Sequence, residues 1–413
     1  SMGNDIADYN NDGQPDVVTV DMLPPDEKTL KTYSGDEHAD IYNFKILQHG
    51  FQNQYSRNCL QRNNGDGKSF SDVGLIAGVS ATDWSWSPLF ADFDNDGNKD
   101  LFISSGIVKR QLDLDYLQFL SDLTAKTNRN ASDQYDNMTI DKMPDGASHP
   151  FLFKNMGNGS FKDESESWGT GKMKGYYNGA AYADLNNDGN RDLVINCINS
   201  PAVILKNNAP KKNYLSVVFR GEGMNRFGIG AKAYLWSHDS KPKSGKSDNP
   251  RMQYQELMLT RGFQSSSDTR LHFGLDSSGI DSLLIIWPDQ KFQVLKNIAA
   301  NKQLTVYQKD ASGVFLYHSF FPERKPILED ITSQIKYDWK HKEDDFNDFA
   351  VQPLIPHKES NRGPKIAVAD VNGDGLDDFY VCGARGQPGA LMIQQKDGSF
   401  KNSDTALFKR FAI

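Results

Sequence analysis

Four short stretches hold the residues whose types and spacing could do chemistry. The pattern D-x-[DN]-x-D-G-x-x-D starts at Asp8, Asp92, Asp184 and Asp370. In the second copy Asp92, Asp94, Asp96 and Asp100 bring four carboxylates into nine residues, and a turn at that spacing aims their oxygens at one point. Like charges held so close repel unless a cation sits between them. Side-chain oxygens at positions one, three and five, a backbone carbonyl at seven and a carboxylate at nine make up the six or so hard oxygen ligands that Ca²⁺ takes at about 2.3–2.6 Å. Gly at position six allows the sharp turn. Mg²⁺ fits less well, because it dehydrates reluctantly.

Each loop offers a complete set. The first has Asp8, Asn10, Asp12, the Gln14 carbonyl and Asp16, and the second adds the Asn98 carbonyl to its four acids. The third has Asp184, Asn186, Asp188, the Asn190 carbonyl and Asp192, and the fourth has Asp370, Asn372, Asp374, the Leu376 carbonyl and Asp378. The expectation is up to four bound Ca²⁺. An EF-hand or dockerin would put an acid at position twelve and a helix after it, yet that position is Thr19, Ile103, Ile195 and Val381. A plain Asp-Gly turn without metal explains one match more easily than four.

The elements around the loops read as strands. Apolar runs follow each loop, at Val17 to Val20, Leu101 to Ile103, Leu193 to Ile195 and Phe379 to Val381. Others precede three of them, at Ser87 to Phe93, Ala180 to Leu185 and Lys365 to Val371, so each loop is the turn between two strands. A second phrase recurs between loops: Leu60-Gln61-Arg62-Asn63-Asn64-Gly65 resembles Phe153-Lys154-Asn155-Met156-Gly157, both running on to Ser-Phe, with Met392 to Phe400 a weaker copy. Asn-Gly and Asp-Gly turns between apolar runs signal hairpins, so each repeat is expected to supply about four strands, the content of one propeller blade.

Two insertions carry helical signals: Ser34 and Glu37 as a capping box before Ile41, Phe44 and Leu47, and a stripe of Leu112, Tyr116, Phe119 and Leu123. Packing on the sheet rim is the plainer role for both. The last interval between loops is about twice the others. It contains runs at Tyr214 to Phe219, Ala231 to Trp236, Leu283 to Trp287 and Gln303 to Tyr307, which suggest a small sandwich or barrel. The expected fold is therefore mostly β: propeller-type blades with calcium loops and helical insertions over 1–210, a separate β domain over 211–309, a connector over 310–364, and further repeats from 365 to 413.

Composition narrows the function. The 413 residues carry 46 basic and 54 acidic side chains, a net charge of −8, without a basic run, so nucleic acid is not an expected partner. No apolar run reaches the length of a membrane span, so direct membrane insertion is not expected either. Cys59, Cys197 and Cys382 are too few and too dispersed for a disulfide framework or a zinc set. Ser1-Met2 reads as a cloning remnant and the chain as a fragment of a longer protein. H-E-x-x-H, G-x-S-x-G, Walker and dinucleotide patterns are absent from the sequence. Trp84 and Trp86 before the second loop, and Tyr176 and Tyr177 before the third, could stack on a sugar or a peptide, although packing between blades is the plainer reading.

Taken together, the loops resemble the FG-GAP or VCBS repeats, the calcium-loop β-propeller family that includes the integrin α headpiece and many bacterial surface proteins. The inserted block resembles the ASPIC/UnbV domain through Gly228-Ile229-Gly230-Ala231-Lys232, Arg261-Gly262-Phe263, Leu271-His272-Phe273-Gly274-Leu275, Leu284 to Pro288 and Leu304-Thr305-Val306. Their order is similar to large Bacteroidetes-type surface proteins and, more distantly, to cartilage acidic protein. The resemblance implies a secreted or lipid-anchored, calcium-stabilised recognition or scaffold protein at the outer cell surface. Its expected partner is a glycan or a protein, with an outer-membrane transporter complex as a candidate. The alternative is a polysaccharide-active enzyme, a hydrolase or lyase, on a propeller scaffold.

Overall fold

The computed structural model describes residues 2–33, 46, 49–52, 55–127, 137–238, 250–275, 279–320, 327–333, 335, 339–343, 345–352, 355, 358–360, 363–403 and 408. The expected first helix, from Ser34 through Leu47, lies outside the described residues apart from one position. The chain divides into two units, Ser1–Glu323 and Arg324–Ile413.

In the first unit, each acidic loop joins the first two strands of an antiparallel meander. The first sheet is Asn4–Ala7, Asp16–Thr19, Cys59–Asn63 and Phe70–Asp72, and the second is Ser85–Ala91, Asp100–Ser105, Phe151–Asn155 and Phe161–Asp163. Among the described residues the third has three strands, Tyr177–Ala183, Asp192–Cys197 and Val203–Leu205. That departs from the four strands expected of every repeat. The reason is local: Asn207-Asn208 begins the same turn as Asn155-Met156, but Ala209-Pro210 replaces the Gly-x-Gly-Ser-Phe that returns the chain along the sheet.

Alternation buries one side of each strand against the next sheet. Val18, Leu60, Phe90, Leu101, Ile103, Phe151 and Phe153 form a core between the first and second sheets. Leu89, Phe102, Leu152, Ala180, Leu193 and Ile195 form another between the second and third. Central strands buried on both faces read as the unbroken apolar runs seen in the sequence. The second helical insertion is the helix Leu114–Thr127, where Tyr116 and Leu120 pack with Met143.

The inserted block is a two-sheet sandwich. Asn213–Arg220 lies between Arg270–Leu275 and, in parallel, Lys302–Tyr307; the facing sheet runs Arg251–Glu256, Lys232–Ser237, Gly279–Ile286 and Phe292–Ala299. Alternate residues Leu215, Val217 and Phe219 meet Ala233, Leu235, Leu283 and Ile285 inside, and Trp287 stands edge-on to Phe219 at 5.4 Å. On the outer face of the second sheet Tyr234, Tyr254 and Ile286 are covered by Phe315.

The second unit holds one four-stranded meander, Ile366–Ala369, Asp378–Val381, Ala390–Gln394 and Phe400–Ser403, with the fourth acidic loop between its first two strands. Among the described residues, no helix is long and apolar enough to cross a membrane.

Candidate metal sites and the surface that holds them

The four loops share one hydrogen-bond frame. In the first, the Asp8 carboxylate accepts the N–H groups of Asp12 at 3.1 Å and Gly13 at 3.0 Å, Asn10 accepts that of Asp12 at 3.2 Å, and Asp12 accepts that of Gln14 at 2.8 Å. Asp92, Asp184 and Asp370 repeat the first-position pattern. Position nine ties the loop to the sheet. Asp100 accepts Phe93 N–H at 3.0 Å and, from the third strand, Asn155 N–H at 2.9 Å. Asp16 pairs likewise with Tyr9 and Asn63, Asp192 with Leu185 and Asn207, and Asp378 with Val371 and Gln394.

Two left-handed residues close each turn. Position six is Gly13, Gly97, Gly189 or Gly375, and position four is Asn11, Asn95, Asn187 or Gly373, all with φ between 54° and 91°. Asn tolerates that region because its short side chain bonds locally. The recurrence of Asn or Gly at position four was a signal in the sequence that the ligand template alone does not use.

The second loop is the most crowded. One oxygen each from Asp92, Asp94 and Asp100 lie within 4.8 Å of one another. Asp100 is fully buried and Asp92 nearly so. Burial, and then the neighbouring Asp96 and Asp94, push the Asp92 carboxyl up to about 7; burial also raises Asp100 well above the usual carboxylate range. In the first loop burial raises Asp8 to about 6 and Asp16 to about 7. Ionising such groups together calls for a compensating cation.

The donors fit a hard cation. A carboxylate has about four lone-pair sites, so two N–H bonds leave Asp100 further acceptor capacity. Asn98 and Asn190, at position seven, turn their side chains to Arg251 and Asn95, so their carbonyls are the groups available to the loop. A protein cation already marks the place: the Lys154 ammonium bridges Asp94 and Asp96, the latter at 3.0 Å, and Lys212 approaches Asp94 at 3.5 Å. In the other three loops position three is Asn, whose Nδ2 donates to the position-five carboxylate at 2.8–3.0 Å, so no bridging lysine is needed.

Side chains that the ligand template does not include chain the loops together. Asn11 donates to Gly97 O at 3.1 Å, and Asn95 donates to Gly189 O and Asn190 Oδ1, both at 3.0 Å. Asn155 reaches Tyr9 O in the first loop at 2.8 Å and Lys99 O in the second at 3.0 Å. Asn207 does the same one repeat on, to Phe93 O at 2.7 Å and Arg191 O at 3.0 Å.

The sandwich then packs directly against the loops. Arg251 donates to Asp96 O at 2.7 Å and Asn98 Oδ1 at 2.5 Å, while Arg270 reaches Asp184 O at 3.2 Å and Asn187 Oδ1 at 3.3 Å. His272 Nε2 lies 2.6 Å from Asn95 Oδ1. Burial, with Arg191 and Arg270 nearby, pushes its pKa well below the usual range, and because Asn95 Nδ2 donates to Gly189 O and Asn190 Oδ1, Asn95 Oδ1 is the acceptor and His272 Nε2–H the donor. Deeper in, Arg261 forms a two-pronged pair with Asp5 at 2.7 Å through both Nε and Nη2, and its Nη1 donates to Tyr182 Oη at 2.7 Å. Lys99 donates to Asp8 O and Tyr254 O.

Of the four aromatics with a stacking reading, two lie inside and two are partly exposed. Trp84 and Tyr177 are buried. Trp86 is half-buried against Phe263, with its indole N–H on Gly106 O, and Tyr176 donates its hydroxyl to Asp145.

No curated protein matches the chain. Residues 221–313 match the ASPIC and UnbV family, which covers the sandwich after its first strand, and residues 33–103 match the FG-GAP-like repeat, which runs through the third and fourth strands of the first sheet and the second acidic loop. The chain thus contains an FG-GAP-like repeat and an ASPIC and UnbV domain.

Proposed function

We propose that this is a calcium-stabilised extracellular or cell-surface recognition or scaffold protein whose four acidic loops, with the ligand sets named above, each hold one Ca²⁺. The observation that carries the reading is the shared frame of the loops together with the converging acids Asp92, Asp94 and Asp100. All donors of a loop come from nine consecutive residues, so a bound ion ties the end of one strand to the start of the next. Its role is to hold the turn. The FG-GAP-like repeat and the family resemblance support the surface location, and the partner is a glycan or a protein.

Metal bound only to the folded state adds about 2.7 kcal/mol per site at a hundredfold excess over Kd. Thermal melting of the dialysed chain in calcium, magnesium and chelator tests this. The expected result is a large upward shift in calcium, a smaller one in magnesium and a reversal on chelation. Identical melting in all three overturns the reading.

A further inference from the structure

Among the described residues the third sheet stops one strand short, and the place of that strand is open. We propose that this edge is a docking site for an extended segment of a partner polypeptide, which completes the sheet with an aromatic-x-acid or aromatic-x-amide sequence.

Three sheets of this chain show what belongs there. Their fourth strands begin Phe70-Ser71-Asp72, Phe161-Lys162-Asp163 and Phe400-Lys401-Asn402. Each runs antiparallel to the third strand in one register: Phe70 opposite Asn63, Phe161 opposite Asn155, Phe400 opposite Gln394. Asn63, Asn155 and Gln394 all donate their N–H to the position-nine Asp of their loop, and Asn207 does so in the third sheet. The incoming aromatic therefore belongs opposite Asn207 and the acid opposite Leu205. Among the described residues no strand pairs with the outer edge of Val203–Leu205, and Ile204 on it is exposed.

The second sheet also shows what the strand meets on its other side. Phe161 N–H donates to Ala77 O, in the turn after the first sheet, at 2.9 Å, and the Phe161 ring packs on Tyr9, position two of the first loop, at 5.6 Å. One repeat on, Trp168 replaces Ala77, since Trp168 N–H bonds Glu164 O as Ala77 N–H bonds Val73 O. Phe93 replaces Tyr9. Between them lies an open groove of about 520 Å³, bounded by Phe93, Leu152, Trp168, Leu205 and Asn208. Its floor, its wall and its edge are thus the three surfaces that hold Phe161 in the sheet before. Such strand addition draws affinity from main-chain hydrogen bonds and specificity from the pocket for the alternate side chain.

The site gives the recognition reading a partner class, but it needs no metal in the loops. The probe is a fluorescent peptide copying this chain's own residues 157–164, Gly-Asn-Gly-Ser-Phe-Lys-Asp-Glu, titrated into the full chain in calcium, with melting recorded separately so that a failure of metal binding shows there instead. Saturable one-to-one binding is expected, weakened about tenfold or more when the peptide Phe is replaced by Ala. Lys206→Pro alters the edge facing the peptide and should abolish binding while circular dichroism and melting stay near those of the parent. Trp168→Phe, which keeps an aromatic wall, should bind. Binding indifferent to the peptide Phe, binding retained by Lys206→Pro, or no binding to a folded chain at millimolar peptide overturns the proposal.

Discussion

The Asn95 side chain donates to the carbonyl oxygen of Gly189, 3.0 Å away in the next acidic loop, while its own Oδ1 accepts the His272 ring N–H. One residue thus joins two loops and the sandwich. Asn95→Ala should destabilise the chain by about 2–3 kcal/mol, since it leaves buried partners unsatisfied and puts a Cβ without local bonding in a left-handed turn. Asn95→Gly keeps the turn and loses only the hydrogen bonds, so it should lie about 1 kcal/mol closer to the parent in urea unfolding. Equal losses would mean the left-handed backbone is not strained there.

Lys154 competes with any ion for Asp94 and Asp96. Lys154→Met should raise the calcium affinity of the second loop about fivefold, a gain of about 1 kcal/mol, and lower the melting temperature in chelator. Titration calorimetry with both proteins checks it. Weaker calcium binding by the variant would show that the lysine supports the metal geometry.

The close approach of the sandwich to the second loop rests on Gly274. A Cβ there would lie 2.0 Å from Asp92 Oδ2 and 2.6 Å from Asn95 Cα. Gly274→Ala should therefore move the strand Arg270–Leu275 or the loop, costing about 1–3 kcal/mol and weakening calcium binding at the second loop more than at the fourth. Hydrogen exchange in the two loops separates the effects. Unchanged protection around Asp92 would contradict the packing.

The raised carboxylates set a pH dependence with a definite sign. Asp8, at about 6, and Asp16 and Asp92, at about 7, bind protons in the folded chain that they have lost in the unfolded one. Stability without metal should therefore fall as pH rises from about 4 to about 7. Carboxylates held low, such as Asp66 at about 2 through bonds from Ser69 and Lys68, titrate below that window. Calcium displaces those protons, so the melting shift it produces should grow from pH 5 to pH 7.5. A chelated protein whose stability rises across this range would show that the acids are ionised without help.

What the sequence made legible was what is local. Each loop and its two strands occupy one contiguous stretch, and Asp-Gly between apolar runs marks them. The strands Arg251–Glu256 and Phe292–Ala299 are not legible as apolar runs: Arg251, Gln253 and Gln255 make one face of the first polar, and Gln293, Lys296 and Asn297 interrupt the apolar residues of the second. Leu120, and not Leu112 or Leu123, completes the buried stripe of the Leu114–Thr127 helix with Tyr116. The contacts of Arg251 and His272 with the second loop join residues more than 150 positions apart, and nothing in spacing or periodicity announces such pairs. The short third sheet was readable in principle, from Ala209-Pro210 where the other repeats have a glycine turn.

The most direct measurement is anomalous scattering from crystals of the chain grown in calcium, examined at the second loop. A peak is expected about 2.3–2.6 Å from side-chain oxygens of Asp92, Asp94, Asp96 and Asp100 and from the Asn98 carbonyl, with the Lys154 ammonium displaced, and equivalent peaks in the other three loops. A folded chain in millimolar calcium with no peak there, and with Lys154 still bridging Asp94 and Asp96, would contradict it.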